Sequence, residues 1–121
     1  MAKTALTVDD SKTMREMVSF TLKNVGFNII EAEDGRDAIN RLGNTPVDVI
    51  ITDLNMPNMN GIELIRALRQ NPSYQFTPIL MLTTEADDTK KAEGKNAGAT
   101  GWIVKPFNPE KLIQVVEKVC V

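Results

Sequence analysis

The chain contains no histidine among its 121 residues. That excludes histidine-based catalytic triads, histidine metal sites and a phosphohistidine carried by the chain itself. Any phosphoryl group drawn from histidine would have to come from another protein. There is one cysteine, Cys120, so no disulfide framework can form and a cytoplasmic setting is the default. No apolar stretch approaches the roughly 20 residues of a membrane span. The N-terminus, Met1-Ala2-Lys3-Thr4, lacks the long apolar core of a signal peptide. Basic charge is not in excess: 14 Lys and Arg stand against 16 Asp and Glu, for a net charge of −2 and a pI near 5.1. This argues against direct nucleic-acid binding, which usually needs a basic face. The phosphate-binding patterns GxxxxGK[ST] and GxGxxG do not occur. Asn55 stands where the Asp-x-Asp phosphatases need a second acid, and Asn58 where a calcium loop needs glycine.

What is present is the composition of an ordinary globular protein, 42% hydrophobic and 25% charged, in a length that fits one domain, residues 1–121. Short apolar runs alternate with amphipathic segments. Ala5 to Val8 reads as a strand. Met14, Met17, Val18, Leu22 and Val25 then follow a helical period closed by Gly26, with Ser11 or Thr13 as cap and Thr13-Glu16 as a capping box. Ile29-Ile30 reads as a strand, Asp34-Gly35 as a turn, and Ala38, Ile39 and Leu42 as a short helix ended by Gly43. Val47 to Asp53 is a strand, with a helix after Gly61 carrying Ile62, Leu64, Ile65 and Leu68. Asn71 to Phe76 reads as a surface loop, Pro78 to Thr83 and Gly101 to Val104 as strands, and Pro109 as the start of a last helix. Alternating strand and helix implies an α/β fold, a doubly wound parallel sheet with helices on both faces. Right-handed crossovers put every strand's carboxyl end on one edge. The fourth helical segment, between Glu85 and Thr100, offers only alanines for packing and carries Gly94 in its middle. Mid-helix glycine costs roughly 0.5–1 kcal/mol relative to alanine, so this helix is expected to be the least firmly held.

That edge gathers the chemistry. Asp9, Asp10, Asp53, Thr83 and Lys105 each end or follow an apolar run, where open α/β sheets bind ligands. Taken singly, each acid reads as a helix cap or a solvated turn, Lys105 as a surface lysine and Thr83 or Thr84 as a β-prone strand end. Together they read as one site. Two carboxylates about 4 Å apart repel by roughly 4 kcal/mol at an effective dielectric near 20. A hard divalent cation relieves that, and Mg²⁺ accepts carboxylate, carbonyl and phosphate oxygens. Asp10 and Asp53 are candidate ligands, Asp9 directly or through water, with the main-chain carbonyl of Asn55 as a further oxygen. A carboxylate beside such a metal suits phosphoryl acceptance, with Lys105 balancing charge and Thr83 or Thr84 donating a hydroxyl.

The stretches Val8-Asp9-Asp10-Ser11, Asp53-Leu-Asn55-Met-Pro57 with Gly61, Leu82-Thr83-Thr84 and Lys105-Pro106-Phe107 occur in the order and at the separations of one family. Along essentially its whole length the chain resembles the receiver domain of two-component response regulators, of the single-domain chemotaxis type. The resemblance implies a five-stranded flavodoxin-like sheet of strand order 2-1-3-4-5 and a cis Lys105-Pro106 peptide. It implies Asp53 as phosphoacceptor, charged from a phosphohistidine on a partner histidine kinase. Mg²⁺ would be held by Asp9, Asp10, Asp53 and the Asn55 carbonyl, with Lys105 on the phosphoryl group. Thr83 would be the switch hydroxyl and Trp102 the switch aromatic, with Asn55 and Glu85 tuning self-dephosphorylation. A Trp is larger than the family's usual Tyr or Phe, so the ring is expected either to swing or to stay buried.

The resemblance further implies a cytoplasmic monomer without an output domain. It would act by binding a target, with the flagellar motor switch expected through the fourth helix, last strand and last helix. A dedicated phosphatase is a possible further partner. The alternatives are a phosphate sink competing for the same kinase, a phosphorylation-independent binding module, and a phosphatase acting on external substrates. The last would need an acid/base partner beside the acceptor, and none is evident.

Overall fold

A computed structural model describes residues 2–120. It contains five strands and five helices in strict alternation: β1 (Thr4–Val8), α1 (Lys12–Lys23), β2 (Asn28–Ala32), α2 (Gly35–Leu42), β3 (Val49–Thr52), α3 (Gly61–Arg69), β4 (Ile79–Thr83), α4 (Asp88–Ala97), β5 (Gly101–Val104) and α5 (Pro109–Val119). The strands are all parallel, in the order β2-β1-β3-β4-β5. This is the expected flavodoxin-like sheet. Every residue of β3 and β4 is buried, as a strand covered on both faces requires.

Side chains alternate along each strand and so divide the core in two. Leu6, Ile50, Ile79 and Met81 join Ala38, Leu42, Ile65, Leu68 and Ala97 on the face covered by α2, α3 and α4. Ala5, Val49, Ile51, Leu80 and Leu82 join Val18, Leu22, Leu112 and Val116 on the face covered by α1 and α5. Both faces are thereby closed by apolar packing.

Several local readings are corrected. Ser11, not Thr13, caps α1: its hydroxyl accepts from the Met14 N–H at 3.3 Å. The Asp9 carboxylate takes the Ser11 N–H at 2.9 Å, which turns the chain at once and starts the helix at Lys12. No Thr13–Glu16 capping box forms at that cap. Met17 is half-exposed, and Val25 lies beyond the end of α1 and is exposed. Asp34-Gly35 is a helix start rather than a turn, with Asp34 capping α2 and Gly35 as its first residue. The third strand begins at Val49 rather than Val47, because Asp48 turns its carboxylate back to the Thr4 N–H at 2.8 Å. In the 71–76 loop, Phe76 is 89% exposed but Tyr74 only 1%. The Tyr74 ring fills the core, and its hydroxyl donates to the Thr45 carbonyl at 2.7 Å.

Two polar anchors hold the helices on the α3 side. Arg69, at the end of α3, donates to the carbonyls of Tyr74 (2.8 Å), Thr77 (2.7 Å) and Gly98 (2.8 Å). It thereby ties the loop before β4 and the left-handed cap of α4, where Gly98 has φ 114, to one guanidinium. Asp34 accepts the Asp37 N–H at 2.8 Å and the Asn58 side-chain amide at 2.9 Å. The Asp37 N–H foremost, then the Asn58 amide, holds its carboxyl below the ordinary carboxylate value of 3.8.

Both anchors are testable. Arg69→Ala removes several charge-assisted bonds and strands their carbonyls, so urea unfolding is expected to show a loss of about 3 kcal/mol; a loss under about 1 kcal/mol would contradict the clamp. Asp34→Ala is expected to cost about 1 kcal/mol at neutral pH. A depressed folded pKa contributes stability that is present above about pH 4 and lost as pH falls through the folded value. The gap between wild type and Asp34→Ala should therefore narrow on acidification, and a pH-independent gap would contradict the assignment.

Candidate functional site

The sheet register brings the charged residues together. Val8 pairs with Thr52, Thr52 with Met81, and Thr83 with Val104, so four strands finish nearly level. The ladder then continues one residue further. Asp9 N–H donates to Ala32 at 3.1 Å, Asp53 N–H to Val8 at 2.9 Å and Lys105 N–H to Thr83 at 2.8 Å. Backbone hydrogen bonds thus place Asp9, Asp53 and Lys105 before any side-chain contact is made.

Oxygens of Asp9, Asp10 and Asp53 all lie within 4.8 Å of one another. Lys105 Nζ donates to Asp9 Oδ2 at 2.8 Å and lies 3.4 Å from Asp53 Oδ2. The side chains of Lys105, Asp9 and Asp53 are 11%, 8% and 11% exposed, whereas Asp10 is exposed. Each buried carboxylate also binds the backbone that follows it: Asp9 Oδ1 takes the Ser11 N–H at 2.9 Å and Asp53 Oδ1 the Leu54 N–H at 2.8 Å. Their second oxygens therefore face the lysine. Burial pushes the Asp9 pKa up, and the opposing Lys105 and Ser11 bonds do not restore it. Burial pulls Lys105 down, but its bond to Asp9 and the charges of Asp53 and Asp9 outweigh that and raise it. The ammonium therefore stays charged between two acids.

This donor set suits a hard cation: carboxylate oxygens close enough to share one ion directly or through water, in a cleft open on the Asp10 side. The Asn55 carbonyl lies two residues beyond Asp53, and among the described residues no donor takes it.

Thr83 and Trp102 meet at one residue. Thr83 is fully buried, whereas Thr84 is exposed. The Thr83 hydroxyl accepts the Glu85 N–H at 3.3 Å, and the Trp102 indole N–H donates to the Glu85 carbonyl at 2.8 Å. The indole is partly buried against α4 at Gly94, where a Cβ would come within 2.7 Å of its Cζ3. Gly94, unfavourable for the helix, makes the notch that admits this ring. The Lys105-Pro106 peptide is cis, as the resemblance implied.

Sequence reasoning missed Arg15. Its guanidinium donates to the Asp9 carbonyl at 2.7 Å and to Glu31 at 3.1 Å, holding the backbone of the acid pair from α1. A basic residue one helical turn after a strand-end acid was the available signal. The contacts of Asp34 with Asn58, and of Arg69 with Gly98, had no local signal because each spans more than 20 residues.

Comparison with known proteins agrees with this arrangement. The response regulator receiver domain model matches residues 5–117. The chain is 41% identical over 115 residues to the chemotaxis protein CheY of Pseudomonas aeruginosa, covering 94% of this chain and 93% of that one. It is 43% identical over 116 residues to a CheY homolog of Campylobacter jejuni, covering 94% and 89%. A high-resolution structure of the chemotaxis response regulator CheY4 of Vibrio cholerae superposes with a TM-score of 0.92 at 50% identity, over 98% of this chain and 99% of that one. Among the described residues no helix is long and apolar enough to cross a membrane. With the strand order, the level strand ends and the acid–lysine cluster in place, the chain belongs to the response regulator receiver domain family, whose members are phosphorylation-dependent signalling switches.

Proposed function

We propose that Asp53 accepts a phosphoryl group from a phosphohistidine on a partner histidine kinase, in an Mg²⁺-dependent reaction. The observation that carries this is Lys105 bridging Asp9 and Asp53 beside a third carboxylate, Asp10. An Asp53 oxygen attacks phosphorus, the P–N bond breaks, and the imidazole leaves and recovers a proton from solvent. Oδ2 is the oxygen that faces Lys105, whereas Oδ1 is engaged by the Leu54 N–H. Asp9, Asp10, Asp53 and the Asn55 carbonyl would hold the Mg²⁺, which supplies charge neutralisation for the phosphoryl oxygens. Lys105 passes from the carboxylate to a phosphoryl oxygen as charge moves onto it. Hydrolysis ends the signal: a water oxygen attacks phosphorus, the P–O bond to Asp53 breaks, and inorganic phosphate leaves the regenerated carboxylate, with Asn55 and Glu85 proposed to tune the rate.

Phosphorylation brings roughly −1.5 to −2 charge to the edge. Thr83 is the hydroxyl proposed to meet it, and moving Thr83 disturbs the Glu85 N–H it holds. Glu85 in turn carries the Trp102 bond, so α4, β5 and α5 form the proposed output face. The target is a protein, proposed as the flagellar motor switch because the relatives are chemotaxis proteins. The setting is the cytoplasm.

Incubation with Mg²⁺ and a small acyl phosphate, followed by intact mass measurement, should show gain of one phosphoryl group. Asp53→Asn or omission of Mg²⁺ should abolish it. A gain that survives Asp53→Asn would sink the assignment.

Gly94→Ala tests the ring's seat. Helix propensity favours the change by about 0.5–1 kcal/mol, but forcing a methyl into a filled contact costs about 1–3 kcal/mol. A net loss of about 1 kcal/mol with a red-shifted Trp102 emission is expected. Unchanged emission would show that the notch does not hold the indole.

A further inference from the structure

The loop between β3 and α3 carries Asn55 and is fastened at its base and its tip. At the base, Gly61 N–H donates to the Leu54 carbonyl at 2.9 Å. At the tip, the Asn58 amide donates to Asp34 Oδ2 at 2.9 Å, and the Gly35 N–H donates to the Met59 carbonyl at 3.2 Å. A Cβ on Gly35 would lie 2.7 Å from Met59 Cγ and 2.8 Å from the Met59 carbonyl oxygen. The start of α2 and the loop tip therefore meet with no room for a side chain between them. Asn58 holds φ at 66°, a left-handed conformation unfavourable for side chains and tolerated best by Asn. Asp34 divides its two oxygens between two tasks: Oδ1 caps α2 through the Asp37 N–H, and Oδ2 holds Asn58.

We propose that Asp34 and Asn58 are positioning residues of the magnesium site: their hydrogen bond fixes the loop backbone that supplies the Asn55 carbonyl before the cation arrives. The inference rests on reading Asp9, Asp10, Asp53 and the Asn55 carbonyl as the Mg²⁺ ligands. A carbonyl on an untethered loop would have to be ordered by the ion itself, which weakens binding. Groups that orient metal ligands without touching the metal typically carry 10–100-fold in affinity.

Two single variants separate this tether from the helix cap and from charge. Asp34→Ser keeps an oxygen for the Asp37 N–H, since Ser caps as well as Asp, but leaves no second oxygen for the Asn58 amide, whereas Asp34→Asn alone would let the Asn58 amide flip and keep the bond. Asn58→Gly removes the tether without altering charge and relieves the left-handed conformation. The exchange Asp34→Asn with Asn58→Asp rebuilds the bond with donor and acceptor reversed. Mg²⁺ affinity is read by isothermal titration calorimetry, and hydrogen–deuterium exchange of residues 54–60 is read in metal-free protein. Each single variant is expected to bind Mg²⁺ about tenfold more weakly and to exchange faster across the loop, with the double variant returning toward wild type on both counts. Affinity within about twofold of wild type in both single variants, below the range of such effects, overturns the tether. Weakening in Asp34→Ser without weakening in Asn58→Gly also overturns it, because lost charge then explains the result. A wild type that binds no Mg²⁺ overturns the reading of the site itself.

Discussion

The ammonium of Lys105 between Asp9 and Asp53 is the contact on which the site depends. Two nearly buried carboxylates with oxygens within 4.8 Å of each other repel, by roughly 4 kcal/mol for charges about 4 Å apart at an effective dielectric near 20, and the lysine at 2.8 and 3.4 Å offsets this. What remains is the cost of burial, which still holds the Asp9 pKa above its ordinary value. Counting Asp10, three carboxylates share one ammonium. The excess negative charge of two is what a divalent cation carries. A divalent cation would cancel that excess, whereas a phosphoryl group alone would deepen it.

The sheet explains why this charge sits where it does. Apolar packing closes both faces, so a carboxylate cannot leave the strands sideways without losing its hydration. Only the edge where the strands end is open. The continued ladder bonds at Asp9, Asp53 and Lys105 fix the backbone there, and each acid's second bond to a following N–H fixes its rotamer. Arg15 fixes the Asp9 carbonyl from beneath. The charged groups are therefore held together by structure that does not itself carry the charge.

Much of this was legible in the sequence because it depends on local pattern. Apolar runs such as Ile79 to Thr83 specify buried strands, and an acid or lysine just past each run specifies the edge. Ser11 against Thr13 was not legible: both fit a capping pattern, and the choice was made by Asp9 taking the Ser11 N–H. Tyr74 looked like loop because its neighbours are polar, yet its ring enters the core and finds the Thr45 carbonyl 29 residues away. Gly94 looked like a flaw in a helix until Trp102, eight positions on, supplied the ring that fills its notch. What the sequence withheld were contacts between residues distant along the chain, and those do most of the positioning.

The same contacts explain how a change at the edge can reach the surface. Glu85 is gripped on both sides of its backbone, its N–H by Thr83 and its carbonyl by Trp102. It cannot follow a displaced Thr83 hydroxyl without pulling on the indole bond. The indole lies against Gly94 in the body of α4, so that pull also acts on the helix. At its far end α4 is fastened, because Arg69 holds the Gly98 carbonyl through two nitrogens at 2.8 and 3.1 Å. Along its length α4 buries only Gly94 and Ala97, and small side chains offer little resistance to displacement. A helix fixed at its carboxyl end and thinly packed along its length is freest to shift at its amino end, where the chain leads back to Glu85.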